Sequence, residues 1–429
     1  MDYKQTNFVC LLFIVVIVVL IAIVLWSSGD SENEHIYFET SKAAQKDISI
    51  NQTLNTTQTN SNDQTINTTQ TNSNDQTLNT TPIKTQTNTT NQYTLILNNK
   101  KLILSNATLQ YLAQTMINNK IQLNTKIPLG YIFVMQLIAD DIAFNQTKTP
   151  SLNLESLYNT ANFNADYLEL NTNINDTHNA LLAQTKLIFV RFHNKLIDMG
   201  LNFEAAKTEV IQTYQYLVVK DFLFKFCTPK LVRKLLNRKT RLLSNSQIPL
   251  EFSMAAFRFA HSILPNEIMI NDDLTLKMND VFEKKIVDIN WAKFFGSEAQ
   301  YSRKIGPHIN STTQELALNL LKQGQQSGLT SGRKLSKYLG IRALTSKQLE
   351  RHFKETKKYN LSNETPLWYY LLAESAIREK GEALGPVGAF LVAEVIIMIL
   401  KNDTNSYLHT KEWKSKYKNF DSLCRYVFN

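Results

Sequence analysis

The longest apolar run in the chain comes first. From Phe8 to Trp26 no residue is charged and most are Val, Ile or Leu. Nineteen such residues come close to the ~20 that a helix needs to cross a bilayer, so the run predicts a transmembrane helix over 8–26. Lys4 precedes it and Asp30, Glu32 and Glu34 follow, a bias that puts residues 1–7 in the cytosol and the rest outside the cell or in a lumen, as a single-pass protein. The competing reading is a cleaved signal peptide that releases a secreted body; it meets an apolar core longer than usual and no small-residue cleavage site after Trp26. Beyond the run, hydrophobic periodicity vanishes. Residues 51–92 are almost all Asn, Thr, Gln and Ser, and Gln52–Asp63 recurs as Gln64–Asp75 with a single Leu/Ile change. Such a segment has almost no apolar surface to offset the entropy of ordering, and the pattern over 27–92 predicts an extended stalk.

Periodicity returns near Tyr93 and continues to the end, so residues 93–429 form the globular body. It opens with a predicted hairpin over Thr94–Leu104, after which helical spacing dominates. The predicted helices are Gly130–Phe144, Asp176–Met199, Phe203–Phe226, Leu250–Leu264, Thr312–Ser327, Thr365–Glu379 and Pro386–Lys401. Asp176 can cap the second and Gly200 stop it; Asn202 can cap the third, with Glu204 in its first turn. Ala180–Leu196 and Val387–Leu400 are apolar on nearly every face, which predicts helices inside a large core. The body reads as mostly α, with room for an enclosed site.

Composition narrows the chemistry. The formal charge of +9 divides unevenly: residues 1–92 carry 4 Lys against 8 acidic residues, which leaves the body at +13 and suits anionic partners. With 12 Gly and neither a Walker loop nor a dinucleotide fingerprint, nucleotide-dependent chemistry is disfavoured and no nucleic-acid partner is expected. Three cysteines, Cys10, Cys227 and Cys424, exclude a disulfide framework; at most Cys227 pairs with Cys424. N-x-S/T triplets in the stalk and body are glycan acceptors if the body is lumenal, or chance products of an Asn/Thr-rich chain.

Among seven histidines none has a zinc-type H-x-x-x-H partner. His261 is the informative one, with Arg258 one turn earlier on the same face and small residues at Ala256 and Ala260. Two readings are open: a hydrogen-bonded core histidine, or a neutral imidazole on iron beside a guanidinium that pairs with a propionate.

The residues around these positions resemble the animal-type haem peroxidase superfamily, nearest its compact, bacterial-like members. Pro249–Leu264 (PLEFSMAAFRFAHSIL) is similar to the family's proximal motif; Gln184–Leu196 (QTKLIFVRFHNKL) resembles its core helix ending in R-x-H-N; Phe203–Phe222 and Thr365–Leu400 resemble the following helix and the C-terminal pair. The resemblance implies a multi-helical domain around a haem pocket, with His261 as axial iron ligand and Arg258 on a propionate. It further implies an Asn that orients the proximal histidine, for which Asn319 is the candidate, although an ungapped alignment places Leu320 there. Ala139 and His178 stand where some members form ester links, so haem b held non-covalently is expected.

The resemblance breaks where peroxide is activated. The distal segment reads Gln136-Leu-Ile-Ala-Asp140-Asp141-Ile142, with Asp140 at the histidine position, and Asn175 stands where the distal Arg belongs. Each such group contributes roughly 10²–10⁴ in rate, so both losses weigh against turnover. Asp140, beside Asp141 and near Gln136, can in principle take the proton if burial raises its pKa; nothing in the sequence replaces the Arg. The family's calcium loop is partly kept as Asp141 with Thr149, Ser151, Asn153 and Glu155, which reads either as a weakened calcium site or as an ordinary turn. Arg258 stands where fatty-acid oxygenases carry their radical tyrosine, so that chemistry is disfavoured. Three functions remain open: oxidation of small donors by hydrogen peroxide, a catalytically inactive peroxidase fold that binds a protein partner at a surface, and a haem carrier or sensor.

Overall fold

The computed structural model describes residues 93–429 apart from 99, 119–121, 145–148, 165, 170–179, 239–246, 282–287 and 312–313. The apolar run, the stalk, Asp176, Asn175 and His178 therefore lie outside the described residues. Among the described residues no helix is long and apolar enough to cross a membrane.

The described chain contains nine helices of nine residues or more: α1 Asn106–Thr115, α2 Gly130–Phe144, α3 Ala180–Asp198, α4 Phe203–Leu217, α5 Pro229–Asn237, α6 Glu315–Gln326, α7 Leu367–Arg378, α8 Pro386–Asn402 and α9 Phe420–Phe428. The start signals read from the sequence operate: Asn202 Oδ1 accepts the Ala205 N–H at 2.9 Å, and Gly200 leaves α3 in the left-handed region at φ 90°. α8 is the central element, and Phe390 alone between Val387 and Leu400 is not fully buried. α3 is more one-sided than its apolarity predicts, because Arg191 is exposed on its outer face and lies over the Phe428 ring at 4.5 Å.

α4 does not stop at Leu217. It passes through a π-helical turn, Val218–Phe222, into Leu223–Phe226. That wider turn carries the buried Asp221, which accepts the Tyr131 hydroxyl at 2.7 Å and the Phe420 N–H at 2.8 Å. One carboxylate thus ties the first turn of α2 to the start of α9.

Among the described residues the strands are short and occur in four pairs: Tyr93–Thr94 with Ile248–Pro249, Leu123–Pro128 with Tyr301–Arg303, Asn162–Asn164 with Tyr167–Glu169, and Glu267–Met269 with Thr275–Lys277. The hairpin expected over Thr94–Leu104 does not form. Tyr93–Thr94 pairs in parallel with Ile248–Pro249, and the next N–H groups, Ile96 and Leu97, bond the buried Glu251 carboxylate at 3.0 and 3.2 Å. A distant buried acceptor has displaced the local partner. Cys227 and Cys424 are both buried and free, so the pairing weighed for them is not made.

Candidate functional site

The segment expected to be one helix, Leu250–Leu264, is three pieces: Leu250–Ser253, a 3₁₀ turn Ala256–Phe259, and Ala260–Ile263. Ala255, at φ −140° and ψ −64°, breaks the run. The ends are held across the break by the Phe252 and Phe257 rings, stacked with centroids 4.8 Å apart, and by Arg258 Nε donating to the Ser253 carbonyl at 3.0 Å. Phe259 packs on Phe226 and the Trp368 indole N–H reaches the Arg258 carbonyl at 3.2 Å, which fixes the turn against α7. His261 follows Arg258 by three residues across the junction of the 3₁₀ turn and the next helical turn, a spacing that brings the two to one face.

Arg258 is buried, and its donors go to the Ser253 carbonyl, to Gln323 Oε1 at 2.5 Å and to Met254 Sδ at 3.0 Å. No carboxylate pairs with it among the described residues. Burial lowers its pKa from 12.5 to about 10. An interior guanidinium without a counter-ion is costly, and such a group is a ready anion site. His261 is partly buried and has no hydrogen-bond partner among the described residues. Burial, and after it the nearby Arg258 charge, brings its pKa down to about 3, so the imidazole is neutral and both nitrogens keep their coordinating or donating capacity. Among the described residues it lacks the hydrogen bonds that the core-histidine reading calls for. That reading fits His193, whose Nδ1 meets the Tyr158 hydroxyl at 3.2 Å and whose Nε2 meets the Asp166 carbonyl at 3.1 Å.

The turn that carries His261 packs against α2, and α2 carries Gln136 and Asp140. Gln136 Oε1 is buried and unpartnered among the described residues. Asp140 does not stand alone, because Lys186 of α3 places its ammonium 2.9 Å from Asp140 Oδ2. At that distance the ammonium and the carboxylate are in direct charged contact. Lys186 Nζ also reaches the Ser156 carbonyl at 3.4 Å. From α4 the Tyr214 hydroxyl, fully buried and unpartnered, is held far above its ordinary pKa by burial and then by the charges of Asp141 and Asp140.

The sequence allows a raised carboxyl at Asp140; the carboxyl that burial raises in this segment is its neighbour Asp141. Burial pushes it up to about 8, with Asp140 adding, against the lowering effect of two N–H bonds. Those bonds come from Leu154 to Oδ2 at 2.9 Å and Glu155 to Oδ1 at 2.8 Å, and Leu154 adopts φ 52° to deliver them. Ser151 Oγ donates to Glu155 Oε1 at 2.9 Å, the Asn153 amide turns to Gln215 at 2.9 Å, and Thr149 is exposed. No cluster of three or more His, Cys, Asp or Glu that could hold a metal ion occurs among the described residues. Hydrogen bonds take up both Asp141 oxygens and close the loop, an arrangement that fits the ordinary turn of the two readings better than the calcium site.

Asn319, on α6, makes no hydrogen bond to His261 among the described residues, and Leu320 is buried in the core. The α6 residue that reaches the His261 segment is Gln323, one turn beyond Asn319 on the same face. Gln323 and Lys186 are the site residues that sequence reasoning missed. The signal for Lys186 was present, since it is the sole charge between Ala180 and Val190.

No protein-family model and no curated protein matches the chain. Solved structures do. Peroxidase A from Dictyostelium discoideum superposes with a TM-score of 0.56 over 78% of this chain and 91% of its own, at 11% identity. The mostly helical fold is peroxidase-like. Fatty acid alpha-dioxygenase from Arabidopsis thaliana (TM-score 0.51, 12% identity, covering 77% of this chain and 74% of that one) shares it. So does a rice variant of that enzyme with palmitic acid (TM-score 0.51, 11% identity, 77% and 78%). In this peroxidase fold, the four stretches that carried the resemblance fall on the Leu250–Ile263 turns, α3, α4 and the α7–α8 pair.

Proposed function

We propose that the chain binds haem b non-covalently and uses hydrogen peroxide to oxidise small donors. The observation that carries this reading is the His261–Arg258 pair: in a peroxidase fold, a neutral imidazole without a partner among the described residues sits one turn from a buried guanidinium without a counter-ion. The residues fit the group. His261 would hold the iron, Arg258 a propionate, and the orphaned Gln136 Oε1 supplies a polar atom on the α2 side.

Bound haem supplies the redox chemistry. Overall, hydrogen peroxide accepts two electrons from donors and two protons, its O–O bond breaks, and two waters leave. The protein's part is positional and electrostatic. Gln323, Ser253 and Met254 fix the Arg258 guanidinium, which would meet a propionate, and the Phe252–Phe257 and Phe226–Phe259 contacts hold the turn that leads to His261. Asp140, partly exposed beside Lys186, offers a carboxylate that would serve as proton carrier. The apolar run 8–26 and its flanking charges support anchorage of the body on the outer or lumenal side of a membrane.

The test is peroxide-dependent oxidation of a one-electron donor by the haem-supplied full chain, against Asp140→Ala. Turnover that the substitution abolishes, with the haem spectrum kept, supports the reading. A haem-loaded chain without turnover would favour a haem carrier.

A further inference from the structure

We propose that Lys186 is the cation on the α2 side of the site, a positioning and charge-stabilising residue that takes over the electrostatic role left open by Asn175. The proposal rests on the haem reading above. Its own footing is the geometry at the junction of α2, α3 and α4. Lys186 Nζ is 2.9 Å from Asp140 Oδ2, its side chain is 13% exposed and that of Asp140 34%. The lysine stem is therefore inside the core, and the pair opens on the side of the aspartate. Lys186 is the one cation recorded against Asp140 among the described residues.

Two acceptors meet the ammonium among the described residues: Asp140 Oδ2 at 2.9 Å and the Ser156 carbonyl at the long distance of 3.4 Å. The Tyr214 hydroxyl, which feels the Asp140 charge, is buried without a hydrogen-bond partner among the described residues. An ammonium carries three donors, and a buried one with two acceptors keeps donor capacity for a further one. An anion on the α2 side of the haem supplies it. During peroxide cleavage negative charge builds on the departing oxygen, and a fixed cation in a water-poor site stabilises that charge. Asp140 offsets the ammonium while no anion is present, so the pair is held without a net charge.

The experiment uses the haem-loaded full chain and reads fluoride affinity from the absorption spectrum, with the rate of peroxide consumption beside it. Lys186→Met removes the charge and keeps most of the stem. It should weaken fluoride binding about 10-fold or more and slow peroxide consumption roughly 10²-fold, with haem stoichiometry unchanged. Lys186→Arg should restore most of both. Asp140→Asn acts in the opposite direction on fluoride, tightening it several-fold because the ammonium loses its counter-charge, and it covers the case in which Lys186→Met fails to fold. Fluoride affinity within twofold of the parent in Lys186→Met, or unchanged or weakened affinity in Asp140→Asn, overturns the proposal. A full chain that takes up no haem overturns the underlying reading and this proposal with it, and that outcome is distinct from a haem-loaded chain indifferent to Lys186.

Discussion

Replacing Arg258 by Met should raise the stability of the haem-free chain while weakening its hold on haem. The guanidinium is buried and unpaired by any carboxylate among the described residues, and its pKa falls from 12.5 to about 10 through burial. A fall of that size corresponds to about 3 kcal/mol of unfavourable charge burial. Against it stand three hydrogen bonds, to the Ser253 carbonyl, Gln323 Oε1 and Met254 Sδ. Methionine leaves the Ser253 carbonyl and the Gln323 amide short of a donor, a loss of about 1 kcal/mol each, while its flexible stem fills most of the arginine's volume. The balance is a gain of about 1 kcal/mol for the haem-free chain. The assay is urea denaturation of wild type and Arg258→Met without haem, followed by haem titration of both. A higher midpoint at unchanged slope, with haem affinity down about 10-fold or more, is expected. A haem-free variant less stable than wild type by 1 kcal/mol or more would show that Arg258 is a structural residue and refute the reasoning.

Other consequences concern the fold. Glu374, fully buried, caps α8 through the Val387 N–H at 2.8 Å, and burial raises it from 4.5 to about 7. The folded state therefore binds more protons than the unfolded one between those values. Its stabilising share is complete below pH 4.5 and is lost as pH rises through 7, up to about 3 kcal/mol in all. Glu374→Gln should flatten that stretch of the stability–pH curve; an unchanged slope would contradict the assignment. Gly332 packs against Tyr370 so closely that an added Cβ would lie 2.1 Å from the ring carbon Cγ, and the Tyr370 hydroxyl is fixed by Ser336 and the Leu344 N–H. Gly332→Ala should cost about 1–3 kcal/mol in chemical denaturation, and a neutral substitution would mean that Tyr370 moves freely.

Much of this architecture is legible along the chain. α2 coincides with the predicted Gly130–Phe144, and α8 extends the predicted helix by one residue, because each buries a long apolar stretch whose period is its own signal. Where an element depends on remote partners the local pattern fails. The N–H groups of Ile96 and Leu97 answer to Glu251, more than 150 residues away, and no property of the Thr94–Leu104 segment announces it. The break at Ala255 is likewise silent, since alanines and phenylalanines read as continuous helix, and the stacked rings that sustain the break belong to the folded state. At the site, His261 and Arg258 are recognisable because their relation is a single turn. The Asp140–Lys186 pair joins two helices, so the sequence shows Asp140 and Asn175 where the resemblance leads one to expect a histidine and an arginine, without showing what stands beside the aspartate. The calcium reading of the loop weakens for a related reason: its residues are present, but Leu154 and Glu155 direct their N–H groups at both oxygens of Asp141.

The central claim, that His261 holds haem iron in this fold, is tested most directly by the absorption spectrum of the full chain purified with haem supplied, beside that of His261→Ala. The account predicts a stoichiometric complex with a strong Soret band that shifts on adding peroxide, and loss of that complex in His261→Ala while far-ultraviolet circular dichroism stays helical. A chain that takes up no haem, or a His261→Ala spectrum identical to wild type, would contradict it.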